Sequence, residues 1–213
     1  MRKLLLAAWL LVPVGAFAYH MGPGQDQLRL DDAEAALARA AEHVAQAQDQ
    51  SQIIGDAEAR DHWLSAKEAY EEALSLLPDD AYDAQRRARL ERAKCRMQIS
   101  ELPTANKELV SLLDELMGEI EDGTEVEVDL LHDTRRTLAN SEYYMTWLMR
   151  LEGLSREAWG PRIDAARQTF KLLAEEDQAD SKKQQALQED LEAAIRLARM
   201  DLTELQGLPL PSQ

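Results

Sequence analysis

The chain has 213 residues, 45 % hydrophobic, enough to bury a core, yet only 5 % aromatic. Its 24 Lys and Arg stand against 40 Asp and Glu, a net charge of −16, which repels phosphate backbones and anionic lipid surfaces and argues against a nucleic-acid partner. Ala, Leu, Glu, Gln and Arg dominate, the vocabulary of good helix formers, so the expected class is all-α.

The first residues read as an address. Arg2 and Lys3 precede the apolar run Leu4 to Val14, and Ala16-Phe17-Ala18 offers small residues where a signal peptidase reads them. Residues 1–18 are therefore expected to be a secretory signal cleaved after Ala18. The alternative is an uncleaved inner-membrane anchor over residues 4–19, although that apolar stretch is short of the roughly 20 residues that span a bilayer comfortably. Either reading places the body outside the cytoplasm, in the periplasm. No Cys follows the apolar run, which argues against a lipoprotein. Residues 19–30, with Gly22-Pro23-Gly24, read as a linker.

The helical body is expected over residues 31–206. Asp31-Asp32 suits a helix N-terminus, and Leu37, Ala40, Ala41, Val44 and Ala47 follow on one face. A second helix starts near Asp56, with Trp63, Ala66, Tyr70, Ala73, Leu74 and Leu77 as its stripe and Pro78 beyond its end. A third runs from about Asp80 to Glu101, with Arg86, Arg87, Arg89, Arg92 and Arg96 interleaved among apolar residues. Leu102-Pro103 breaks it, and Thr104 suits the cap of a fourth helix bearing Leu109, Leu112, Leu113, Leu116, Met117 and Ile120. The acidic segment Glu119 to Asp129 reads as a helix–helix connection turning at Asp122-Gly123. Its spacing does not match a calcium-binding helix–loop–helix.

The fifth helix, about Leu130 to Glu152, is the most aromatic. Gly153 ends it, and Ser155 starts a sixth helix with Trp159, Ile163, Ala166, Phe170 and Leu173, containing Gly160-Pro161 one turn in. After the polar run Glu175 to Gln185, a seventh carries Leu187, Leu191, Ala194, Ile195, Ala198 and Leu202. Residues 207–213 form a non-helical tail. The count is about seven helices, arranged as antiparallel hairpins.

One segment is specific. Ala66, Tyr70, Ala73 and Pro78 take the spacing Ala, aromatic four on, Ala three on, Pro five on. This segment resembles the second helix of a tetratricopeptide repeat, in which small residues let helices approach and the aromatic fills the gap between repeats. The preceding helix lacks the family's Trp–Leu–Gly–Tyr spacing. The resemblance implies hairpins stacked as a TPR-like α-solenoid, a protein-interaction module; a plain antiparallel bundle is the alternative.

The sequence carries little chemistry. His20, His43, His62 and His132 show no i, i+4 pair, and no His-Glu-x-x-His, Gly-x-Ser-x-Gly or phosphate loop occurs. Cys95 alone excludes an internal disulfide and reads as a small buried residue. No cofactor, metal site or catalytic residue is expected. The run Tyr143 to Leu151 is apolar nearly all round its helix, because neighbours differ by about 100°. It is either a central helix packed on both sides or part of a partner groove. In the second reading Tyr143, Tyr144, Trp147 and Arg150 are anchors, with Trp159 capping the groove and Arg167 pairing ligand carboxylates. The expected function is a non-catalytic extracytoplasmic scaffold or adaptor for a protein or peptide partner. The alternative is a periplasmic chaperone-like or ligand-binding helical bundle.

Overall fold

The computed structural model describes residues 23–53, 56–176 and 181–206. The expected signal or anchor over residues 1–18 and the tail over residues 207–213 lie outside these residues. Among the described residues the chain is helical, without strands, in eight helices. They are α1 (Pro23–Ile53), α2 (Asp56–Leu76), α3 (Tyr82–Gln98), α4 (Leu102–Glu121), α5 (Val128–Leu151), α6 (Arg156–Glu176), α7 (Ser181–Arg199) and α8 (Leu202–Gln206). The chain divides into two compact units, residues 1–88 and 89–213.

The helix boundaries differ from the sequence expectations at the start of α1, the start of α4 and the end of α7. α1 begins at Pro23, inside the expected linker. Proline is tolerated at a first helical position because its missing N–H has no intrahelical partner there. Downstream, Gln27 Nε2 donates to Asp31 one turn on, at 3.0 Å. Thr104 is not a cap; α4 starts at Leu102, with Pro103 in its first turn. Eight helices replace about seven because the last run breaks at Met200-Asp201. There Glu204 N–H donates to Asp201 Oδ1 at 2.8 Å, and Asp201 N–H donates to Glu204 Oε2 at 3.2 Å. This reciprocal pair satisfies backbone donors that a continuous helix would not leave free, and starts α8.

In the first unit, α1 and α2 pack as an antiparallel hairpin on an alanine seam. Ala33, Ala36, Ala40 and Ala47 of α1 and Ala59, Ala66, Ala69 and Ala73 of α2 are all buried. Small side chains on both partners bring the backbones close. Tyr70, toward the C-terminal end of α2, and Leu77, just beyond it, are also buried. Beyond Pro78 the chain turns, held by Gln85 Nε2 donating to the Pro78 carbonyl at 2.7 Å. The Arg39–Glu72 bridge across the hairpin, 2.6 Å, is half exposed and contributes less than about 1 kcal/mol.

In the second unit, two apolar clusters share α5. One holds Leu90, Ala93 and Met97 of α3 with Leu102, Leu109, Leu112 and Leu116 of α4 and Leu130 and Leu131 of α5. The other holds Trp147 of α5, Trp159, Ile163, Phe170 and Leu173 of α6, Leu187, Ala194 and Leu197 of α7 and Leu205 of α8. α5 packs on α4 and α6, α6 packs on α7, and α8 returns to α5. The connections use left-handed residues. Gly123 (φ 80°) and Gly153 (φ 77°) follow α4 and α5, and Thr124 and Leu154 N–H donate back to the carbonyls of Glu119 and Met149. A residue with a Cβ is disfavoured there, which is why the glycines stop these helices. Ser100 (φ 71°) does the same for α3 without a glycine's freedom.

Cys95 is 1 % exposed, and its thiol is pushed up to about 12, first by burial and then by the Glu91 carboxylate. The thiolate is the reactive form, so native Cys95 is expected to be inert. Maleimide labelling near pH 8 should be at least ~100-fold slower in the native chain than in denaturant. Equal rates would contradict this burial.

Candidate partner-binding site

α5 presents three faces, and packing consumes two of them. Tyr143 and Trp147, one turn apart, pack on the α6–α7 cluster. Tyr144 and Met145 pack on the α3–α4 cluster. The Tyr143 and Tyr144 rings meet edge to face at 5.4 Å, and Tyr143 lies 6.3 Å from the Trp147 ring. Burial raises both phenols, Tyr144 to about 12, so both stay protonated. Of this run, Leu148 alone is clearly exposed.

Several buried polar groups on α5 are satisfied locally or by neighbours, whereas Thr134 Oγ1 and Trp147 Nε1 are buried without a hydrogen-bond partner among the described residues. Thr137 and Thr146 hydroxyls donate to carbonyls one turn back, at 2.7 and 2.8 Å. Glu142 ties three helices: Asn106 Nδ2 of α4 donates to its Oε1 and Arg162 Nη1 of α6 to its Oε2, both at 2.8 Å. Asn106 also donates to Ser141 Oγ, at 2.8 Å. On the α3 side, Glu108 of α4 accepts from Arg92 and Arg96, and Glu115 accepts from Arg89 at 2.6 Å. Lys94 reaches Asp133 of α5 at 2.8 Å. Arg89, Arg92 and Arg96 of α3 thus serve as ion-pair partners between helices, while Arg86 pairs with Asp83 within α3.

Arg150 is 9 % exposed. Its Nη1 and Nη2 donate to the carbonyls of Leu197 and Met200 at the end of α7. Its guanidinium lies 4.9 Å from the centre of the Trp159 ring. A cation there meets unsatisfied carbonyls and the negative end of a helix dipole. Burial lowers its pKa, and Asp201 opposes that. Trp159 is itself buried. Arg167 stands apart on α6, half-buried, paired with Asp164 at 3.1 Å.

The six sequence-selected residues therefore fall into three places. Tyr143, Tyr144 and Trp147 form one aromatic group, Arg150 and Trp159 form a latch on α7, and Arg167 joins neither. A further feature lies beside them. Glu192, Ile195, Arg196, Arg199, Met200 and Glu204 line an open groove of about 400 Å³ along α7 and α8. Arg196 and Arg199 are exposed, and neither makes an ion pair among the described residues. Ile195 and Met200 give the groove an apolar side. Hydrophobic periodicity alone runs α7 through Leu202 and hides the corner at Asp201 on which the groove depends. The spacing Asp201-x-x-Glu204 was the available signal.

Among the described residues no group of three His, Cys, Asp or Glu is placed to hold a metal ion, and no helix is long and apolar enough to cross a membrane. No family model matches the chain, and no curated protein or solved structure is significantly similar to it.

Proposed function

We propose that this chain is a non-catalytic, exported, tetratricopeptide-like helical scaffold that holds a protein or peptide partner along α7 and α8. The observation that carries the reading is the groove. Two exposed arginines without ion-pair partners among the described residues flank Ile195 and Met200, with Glu192 and Glu204 on the same lining, in a molecule of net charge −16. Arginine beside methionine and aliphatic side chains is the composition of peptide-binding surfaces. The chemistry fits an amphipathic segment bearing carboxylates. The family resemblance is supported by burial of Ala66, Tyr70 and Ala73 in the α1–α2 seam, the positions at which a tetratricopeptide hairpin packs.

The test uses an array of synthetic acidic amphipathic peptides probed with the full chain. Arg196→Glu with Arg199→Glu is expected to weaken the best binders at least tenfold, ~1.4 kcal/mol, without changing the helical circular-dichroism spectrum. Binding that survives this charge reversal contradicts the reading.

A further inference from the structure

Among the described residues of the first unit, His43 and His62 meet across the seam that the buried alanines of α1 and α2 form. His43 lies on α1 between buried Ala40 and Ala47, three residues before and four after. His62 lies on α2 between buried Ala59 and Ala66, with the same offsets. These offsets place each histidine on the seam face of its helix. Both rings are half-buried, their centroids are 5.8 Å apart, and the Nδ1 atoms face each other at 3.5 Å. That separation is at the outer edge of an N–H···N hydrogen bond, so direct bonding between the rings is weak. It is close to the spacing of two nitrogens on one tetrahedral ion: ligand distances of about 2.0–2.1 Å put them ~3.4 Å apart.

We propose that His43 and His62 form an interhelical site for a divalent transition-metal ion of the zinc class, each imidazole contributing Nδ1. The alanine seam sets the helix separation and thereby presents the two nitrogens together before any ion arrives. Among the described residues no third His, Cys, Asp or Glu completes the cluster. The ion therefore keeps positions for water or an outside ligand, and it is exchangeable rather than locked in. Each ligand comes from a different helix, so bound metal staples α1 to α2 and stabilises the hairpin in proportion to its occupancy. This site is independent of the α7–α8 groove.

The experiment titrates the full chain with Zn²⁺ alone by calorimetry and repeats it with His43→Ala and with His62→Ala. The wild-type chain is expected to bind one ion and each variant to bind at least about tenfold more weakly, since loss of even an outer-shell partner costs 10–100-fold. ¹⁵N NMR of imidazoles in the wild-type chain is an independent readout that needs no variant. Zn²⁺ should shift the Nδ1 resonances of two histidines together. Two outcomes overturn the proposal: unchanged affinity in folded variants, or no paired Nδ1 shift in the wild-type chain at millimolar Zn²⁺.

Discussion

Replacing Glu108 with Ala is expected to lower the unfolding free energy by about 3–5 kcal/mol. The Glu108 side chain is 8 % exposed, while those of its partners Arg92 and Arg96 are 20 % and 15 % exposed. Arg92 Nε donates to Oε1 at 3.1 Å and Arg96 Nη1 to Oε2 at 2.7 Å, so both carboxylate oxygens are engaged. Deletion takes that counter-charge from two largely buried cations, Arg96 keeping its 3.6 Å bridge to Glu101, so their desolvation is far less offset. The loss therefore exceeds what an exposed bridge such as Arg39–Glu72 could produce. Adding Arg92→Met and Arg96→Met to Glu108→Ala should recover much of the loss, because apolar replacements leave no stranded charge. Urea unfolding of the single and triple variants decides it. A loss below about 1 kcal/mol in the single variant would mean that water already screens this cluster.

The second large effect is at Arg150. Arg150→Ala removes two donors from the Leu197 and Met200 carbonyls and the cation from the face of Trp159. Charge-assisted hydrogen bonds contribute about 1.5–3 kcal/mol each and the ring contact about 0.5–2, with partial compensation by water at the carbonyls; a net loss of about 3 kcal/mol is expected. Arg150→Lys should restore less than half, since an ammonium cannot present the planar fork that reaches both carbonyls and stacks on the indole. Amide exchange should accelerate first in the last turn of α7 and in α8. Full rescue by Lys would show that charge alone matters there.

These two residues also mark the limit of what the sequence discloses. Periodicity locates the helices because burial must follow the turn of the helix: Leu109, Leu112 and Leu116 recur at three and four residues and all are fully buried. Stops at Pro78 and Gly153 are legible because each has a local steric cause. What periodicity cannot assign is the partner of a face. Arg150 looks the same in sequence whether it awaits a ligand carboxylate or caps a helix 47 residues away. Trp147 likewise looks like an anchor, yet its ring belongs to the core shared with α6 and α7. The apolar run on α5 is continuous because two clusters claim it from opposite sides. Conversely, the histidine pair was invisible because His43 and His62 are 19 residues apart on different helices, and only the hairpin's register joins them. The corner at Asp201 was legible in principle through its capping pair, but strong hydrophobic periodicity on either side masked it.

Packing occupies the aromatic helix, and the proposed partner surface is that of α7 and α8. Hydrogen exchange of the full chain, with and without an acidic amphipathic peptide at saturating concentration, tests this most directly. Added protection is expected over residues 190–206, with α1 and α2 unchanged. Protection confined to α1 and α2, or no added protection over 190–206, would contradict it.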